Sequence, residues 1–502
     1  MQSKKQKNTD SINPENFSNL GSSALIEPST QIVSLNGKPG KGSKDKVLLN
    51  DHLKLDSHFF REYSIQYQNK QASKIYHVPY SEDNLNESYS QIITEPFLAG
   101  TIGDVFDHKF LRKVKTEIEI HMTYSKKNND LYEFYQSSDL KSTKLKLLKR
   151  LCDSLYSEGF VKFLSELTGV QLNNTLDASV SKYVYGNHLL CHDDDIQTTG
   201  EGRRIAFIIY LVDESWTEAD GGALELFSRD QFGQPTHASK CTILPKWNQM
   251  AFFEIGSHSY HQVAEVLAKC KDRLSVVGWF HGPLPTQPPP LNKYSSNPFS
   301  QLDCDLSEFI NPNYLGSAKQ EILKKFKEDG CVELQSFIRP EIYQALLSEA
   351  KHINWGSPRG PAHVRNYHIA SISTTTFQAV SDMLSSQKFK RFLAELSGCD
   401  LTCWRGELQK FDSRNYSLLN DEAIEPSGLD FTLYFTDSES PAWNPIWGGG
   451  LHYLRCEETL YSIHPKPNCL FLANRPDDTL RFVKYVKTQA RYPIHAMSFV
   501  FN

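Results

Sequence analysis

His192 and Asp194 stand two positions apart in LLCHDDD, residues 189–195, and His261 follows in FFEIGSHSYHQVAEVL, residues 252–267. Two imidazoles and one carboxylate, with coordination positions left open, make the facial donor set suited to a non-haem Fe(II) oxygenase. The vacant face of such an ion can take a bidentate cosubstrate and dioxygen. His-x-Asp alone is a weak signal; its weight comes from the order downstream. Twelve positions after His261, Arg273 and Ser275 open RLSVVGWF. A 2-oxo acid chelating the metal would send its far carboxylate deeper into the fold, where a guanidinium fork binds it bidentately. Residues i and i+2 of a strand share a face, so His192 with Asp194, and Arg273 with Ser275, are expected to act together. Tyr183, read as the start of the strand leading to His192, offers a phenolic donor. Taken alone, His261 reads equally well as a core histidine and Arg273 as a strand-end charge. The ordered set does not. His188, Asp193, Asp195, His258 and His281 are expected to be solvated or to sit behind the ligands.

Short β-branched and aromatic runs between residues 183 and 280, separated by turn residues, must position this set. They predict a sandwich or jelly roll rather than a βαβ fold. Residues 106–169 read as amphipathic helices, so the expected order is helices first, then a barrel they pack against. That pattern occurs twice. KFLSELTGVQL (162–172) matches RFLAELSGCDL (391–401), IIYLVDESW (208–216) matches LYFTDSESPAW (433–443), and GGALELF (221–227) matches GGLHYL (449–454). The expected fold class is therefore α+β, mainly β: two tandem double-stranded β-helix (jelly-roll) domains, each preceded by packing helices. The expected boundaries are a polar, basic, disordered tail at 1–45, a catalytic domain at 46–283, a Pro-rich linker at 284–300 and a second domain at 301–502.

At 502 residues the chain is long enough for two or three domains, and its formal charge of -5 argues against a dedicated nucleic-acid binder. The N-terminal residues lack the apolar run of a secretory signal, and no apolar stretch is long enough to span a bilayer. Ten thinly spread cysteines, with only Cys399 and Cys403 close together, read as reduced core thiols rather than a disulfide framework or zinc site. Cytoplasm and/or nucleus is the expected location.

LLCHDDD, EGRRIAFIIYLV, GGALELF, PKWNQMAFFE, HQVAEVL and RLSVVGWFHGP, with LYEFYQSSDL and LSEFINPNYL, give a resemblance that covers nearly everything but the tail. The chain resembles the eukaryotic ribosomal prolyl hydroxylases, 2-oxoglutarate- and Fe(II)-dependent oxygenases with two double-stranded β-helix domains. The resemblance implies hydroxylation of one prolyl residue in a small-subunit ribosomal protein at the decoding centre, affecting translation accuracy and termination. It implies Fe(II), 2-oxoglutarate and O2, with ascorbate in support; no membrane partner is expected, because no apolar stretch is long enough to span a bilayer. It also implies His192, Asp194 and His261 as iron ligands, Arg273 as the 2-oxoglutarate clamp and Tyr183 as its helper. Ser275 is a further candidate for the cosubstrate. Aligning the second repeat on the first puts Asn420, Glu422 and Arg481 opposite His192, Asp194 and His261. Losing both imidazoles and gaining a cation would repel Fe(II), so the second domain is expected to be degenerate and non-catalytic. Two alternatives stay open: a ribosome- or mRNA-associated scaffold, and an oxygenase acting on another protein or on nucleic acid.

Overall fold

A computed structural model describes residues 48–69, 75–78, 90–195, 200–284, 296–301, 304–370, 374–419, 427–436, 441–456 and 458–502. The tail, most of the linker, and Asn420 and Glu422 lie outside the described residues. In the first half, helix α1 (His58–Asn69) precedes strands β1 (Ile75–His77), β2 (Gln91–Ile93) and β3 (Ala99–Ile102). Helix α2 (His108–His121) follows, then the hairpin β4 (Ser125–Asn128) and β5 (Tyr132–Gln136), then helices α3 (Lys146–Leu155) and α4 (Glu158–Thr168). The strands β6 (Leu176–Tyr183), β7 (His188–His192), β8 (Glu201–Tyr210), β9 (Leu224–Arg229), β10 (Pro235–Ile243), β11 (Met250–Glu254), β12 (His261–Val263) and β13 (Arg273–Pro283) complete it.

The helices form where apolar residues recur at helical spacing. Leu111, Val114 and Ile118 of α2 are buried, as are Phe160, Phe163, Leu164 and Leu167 of α4. The run of residues 142–167 breaks at Ser157, whose hydroxyl caps α4 by accepting from Phe160 N, and Gly169 ends α4 at φ 74. Two corrections concern this half. Residues 106–169 are not all helical, because residues 125–136 form the β4–β5 hairpin. Asn129 accepts from Leu131 N and Tyr132 N to close its turn, and the alternating Tyr132 and Phe134 suit a strand. Nor do helices come first throughout: β3 already pairs with β11 ahead of α2.

One antiparallel leaf runs β1-β2-β3-β11-β8-β13-β6 and a second runs β7-β12-β9-β10, with β5 bonded to both β6 and β7. Side chains between the leaves, among them Tyr183, Tyr210, Leu224, Leu226, Phe253 and Val263, make one core. The helices pack on the outer face of the first leaf to make another. In the second half the larger sheet orders Cys403–Phe411, Ile494–Phe501, Gly428–Tyr434, Cys469–Arg475 and Cys331–Gln335, and a three-stranded sheet centres on Leu451–Arg455. Here too helices cover one sheet face and a separate core fills the interior.

The halves meet on the outside of β7. Leu190 packs with Tyr416, Leu418 and Tyr485, and Cys191 packs with Phe227, Tyr260 and Ala362. A mostly buried ion pair joins Lys487 to Glu133 at 2.8 Å, and Leu419 N donates to Asp130 at 3.0 Å. The elements that present His192 and His261 are thus held from both sides.

Candidate active site

β7 ends at His192 and β12 begins at His261, and the two residues are direct cross-strand partners. The register slips by one residue between that pair and Val263 opposite Leu189. Such a bulge re-aims side chains at a sheet edge. Leu189 packs in the interior and Leu190 packs outward against the second half, while the His192 ring returns to lie 4.3 Å from the ring of His261. Asp194 lies two residues past the end of β7, so a loop and not a shared strand face brings it in. Its Oδ1 is 3.6 Å from His192 Nε2 and its Oδ2 is 3.5 Å from His261 Nε2. Ligand atoms of all three residues lie within 4.8 Å of one another.

The imidazoles are oriented from behind. His192 Nδ1 sits 2.7 Å from the Leu190 carbonyl and His261 Nδ1 sits 2.8 Å from the Ser259 carbonyl. A carbonyl only accepts, so each Nδ1 carries the proton and each Nε2 keeps its lone pair for a metal. Burial works against the Asp194 carboxylate, but the adjacent His192 and His261 rings and Trp279 favour its ionised form and hold it well below the usual carboxylate range. Burial, reinforced by His192, pushes His261 down to about 4, whereas the neighbouring Asp194 carboxylate raises His192 against the same burial. A neutral imidazole beside an ionised carboxylate is a metal-ready donor set.

Deeper in the barrel, Arg273 is 1% exposed. It begins β13 opposite Tyr183, the last residue of β6, and Ser275 lies opposite Tyr210 at the end of β8. Tyr183 therefore closes β6 rather than opening the strand to His192, and it reaches the site as the cross-strand neighbour of Arg273. The guanidinium lies 5.2 Å from the Tyr183 ring and 5.1 Å from the Tyr210 ring, and its Nε donates to the Gly222 carbonyl at 2.6 Å. Arg273 Nη2, Ser275 Oγ and the Tyr210 hydroxyl are buried without a hydrogen-bond partner. Buried polar groups left unpaired are costly and uncommon, and a guanidinium with two neighbouring hydroxyls in that state marks a place for a ligand carboxylate. The residues fit both groups that a 2-oxo acid oxygenase requires: donors for the ion and a cradle for the far carboxylate.

Gly222 is part of the cradle. At φ 68 it adopts a backbone conformation that side chains disfavour, and a Cβ there would lie 2.8 Å from Arg273 Cδ. The other sequence candidates lie outside this set. His188 is buried against Tyr485, its Nδ1 3.3 Å from the Gly186 carbonyl, and burial pushes it down to about 3. Asp193, raised to about 6 by burial, bonds to Tyr260 and accepts from Asp195 N, and His281 pairs with Asp177 at 3.0 Å. His258 lies edge-on to Phe97. Sequence reading missed Tyr210, Gly222, Trp279 and Arg203, whose guanidinium stacks 3.7 Å over the Trp279 ring. Only the paired glycines of GGALELF carried a usable signal.

Residues 178–281 match the family described as the 2OG-Fe(II) oxygenase superfamily, and residues 301–502 match the oxoglutarate and iron-dependent oxygenase degradation C-terminal family. The first match contains every residue of the triad and the cradle. A Xenopus laevis protein named prolyl 3-hydroxylase OGFOD1 is 34% identical over 79% of this chain and 84% of its own. Its Mus musculus namesake is 30% identical over 78% and 85%. Prolyl 3,4-dihydroxylase OGFOD1 of Ostreococcus tauri is 30% identical over 81% of this chain and 95% of its own length. With this extent of shared sequence across both halves, the chain belongs to the OGFOD1 prolyl hydroxylase family of 2-oxoglutarate- and Fe(II)-dependent oxygenases.

Proposed function

We propose that the chain hydroxylates a peptidyl proline of a small-subunit ribosomal protein at the decoding centre, using one active site in its first half, in the cytoplasm and/or nucleus. The observation that carries this reading is the set of buried, unpaired polar groups of Arg273, Ser275 and Tyr210 in the same barrel as the His192–Asp194–His261 triad. Fe(II) with 2-oxoglutarate would supply the oxidising chemistry, activating O2 as the cosubstrate decarboxylates to succinate. The protein's task is positioning. His192, Asp194 and His261 would hold the ion, their orientation set by the Leu190 and Ser259 carbonyls and by Trp279. Arg273, aimed by Gly222, would take the far carboxylate with Ser275 and the Tyr183 and Tyr210 phenols around it. Burial of Arg273 strengthens that charge pairing by excluding water.

The two halves read as tandem double-stranded β-helix domains, at 46–283 and 301–502, because their larger leaves share one strand order. Superposing the registers sets Arg481 in the place of His261, since Val263 and Val483 pair with the equivalent Leu224 and Leu451. Likewise Ile494, Ala496 and Phe411 stand where Arg273, Ser275 and Tyr183 do. Arg481 pairs with buried Asp430 at 3.2 Å, and Arg475 bonds the same carboxylate at 2.8 Å. These exchanges support a non-catalytic second domain, lacking both the imidazole and the carboxylate clamp. Mass spectrometry of small-subunit ribosomal proteins from cells with and without the chain tests the proposal. One oxygen, or two, missing from a single proline without it is expected; unchanged masses would refute the substrate.

A further inference from the structure

Behind the strands that present His192 and His261, the two halves line a cleft of about 210 Å³ that opens to the surface. His188, Glu225 and Glu265 line it from the first half, and Asn366, Tyr416 and Tyr485 line it from the second. Glu265 is 4% exposed. Its Oε2 accepts from Thr488 N at 3.0 Å and from the Tyr485 hydroxyl at 3.4 Å, but its Oε1 has no partner. Asn366 Oδ1 is likewise buried and unpartnered. Both orphans are acceptors. Glu225, which accepts from Gln262, adds a second carboxylate to the same wall.

Burial raises the proton affinity of Glu265 and the charges of Lys487 and Arg414 lower it, but neither cation bonds Oε1. His188 is held neutral by burial, and Lys487 is committed to Glu133. Arg414, the only guanidinium among the lining residues, is exposed. What would satisfy the two orphan acceptors is a donor-rich cation. A metal ion fits less well: among the described residues, the one cluster with ligand atoms close enough to hold a metal is His192, Asp194 and His261.

We propose that the cleft between the halves binds an organic cation, an alkylammonium or alkylguanidinium group, held by Glu265 Oε1 and Asn366 Oδ1. The group can come from a free small molecule or from a lysine or arginine side chain of a peptide. Isothermal titration of the full chain with agmatine, with neutral butylurea and with an arginine-containing peptide tests this. Agmatine is expected to bind saturably, one per chain, and butylurea is not. Displacement of bound peptide by agmatine would identify a side chain as a source, and binding by agmatine alone would identify a free molecule. Glu265→Gln keeps an acceptor for Thr488 N while removing the charge. Loss of one charge-assisted hydrogen bond should weaken agmatine roughly 10–100-fold. Should that variant melt early, Asn366→Asp adds a charge at the other orphan and is expected to tighten agmatine about tenfold. No agmatine binding by the native chain, butylurea binding as well as agmatine, or affinities unchanged in both variants would overturn the proposal.

Discussion

Replacing Arg273 is expected to separate cosubstrate binding from metal binding. The buried side chain donates from Nε to the Gly222 carbonyl and leaves Nη2 unpaired. A hydrogen bond to a charged partner contributes about 1.5–3 kcal/mol, and a buried fork makes two of them to one carboxylate. Arg273→Leu should therefore raise the KM for 2-oxoglutarate at least ~100-fold, equivalent to roughly 3 kcal/mol. Arg273→Lys keeps the charge without the fork and should fall between the two, at roughly tenfold. Succinate formation at varied 2-oxoglutarate measures this, and anaerobic Fe(II) titration of the same variants checks the metal. Leucine strands the Gly222 carbonyl, so a cost of about 1–3 kcal/mol in stability is expected alongside, read from denaturant unfolding. An unchanged KM for 2-oxoglutarate in Arg273→Leu, or equal losses of metal and cosubstrate affinity, would refute the assignment.

Four further outcomes are expected. Asp194→Ala should abolish 2-oxoglutarate turnover and Fe(II) binding together while the chain still folds, as monitored by circular dichroism, because the carboxylate is the anionic donor between two imidazoles. Gly222→Ala brings a methyl to 2.8 Å from Arg273 Cδ at a positive φ and should raise the 2-oxoglutarate KM about tenfold with little change in metal affinity. Lys487→Ala leaves Glu133, held at about 2 by Lys487 and Lys126 against its burial, with only Lys126; denaturant unfolding should show a loss of about 1–3 kcal/mol. His188, neutral in the fold with its proton affinity down at about 3, favours the folded state above the ordinary histidine range. That contribution is lost as pH falls below about 6.5, at up to ~1.4 kcal/mol per unit, so His188→Gln should flatten the fall in melting temperature between pH 7 and 5.

The chemistry was legible where it is local in sequence. His192, Asp194, His261 and Arg273 are rare types in a fixed order, and the structure gathers the first three within 4.8 Å. Their setting was harder to read. That Asp194 sits beyond its strand, and that a bulge turns His192 inward while Leu190 faces out, depends on a one-residue slip that period-2 patterning does not reveal. Tyr210 and Tyr183 flank Arg273 through cross-strand register, which pairs residues dozens of positions apart. The β4–β5 hairpin was hidden among helical segments because its two short strands bury little on their own: β4 is fully exposed, and of β5 only Phe134 is buried. Glu265 and Tyr485 lie in opposite repeats, and nothing in either repeat alone announces their contact.

Anaerobic addition of Fe(II) to the full chain with 2-oxoglutarate, followed by its metal-to-ketoacid charge-transfer absorbance, tests the single-site assignment most directly. The band should saturate at one Fe(II) per chain, vanish in His192→Ala and persist in Arg481→Ala. A band that survives His192→Ala, or one that saturates at two equivalents, would contradict it.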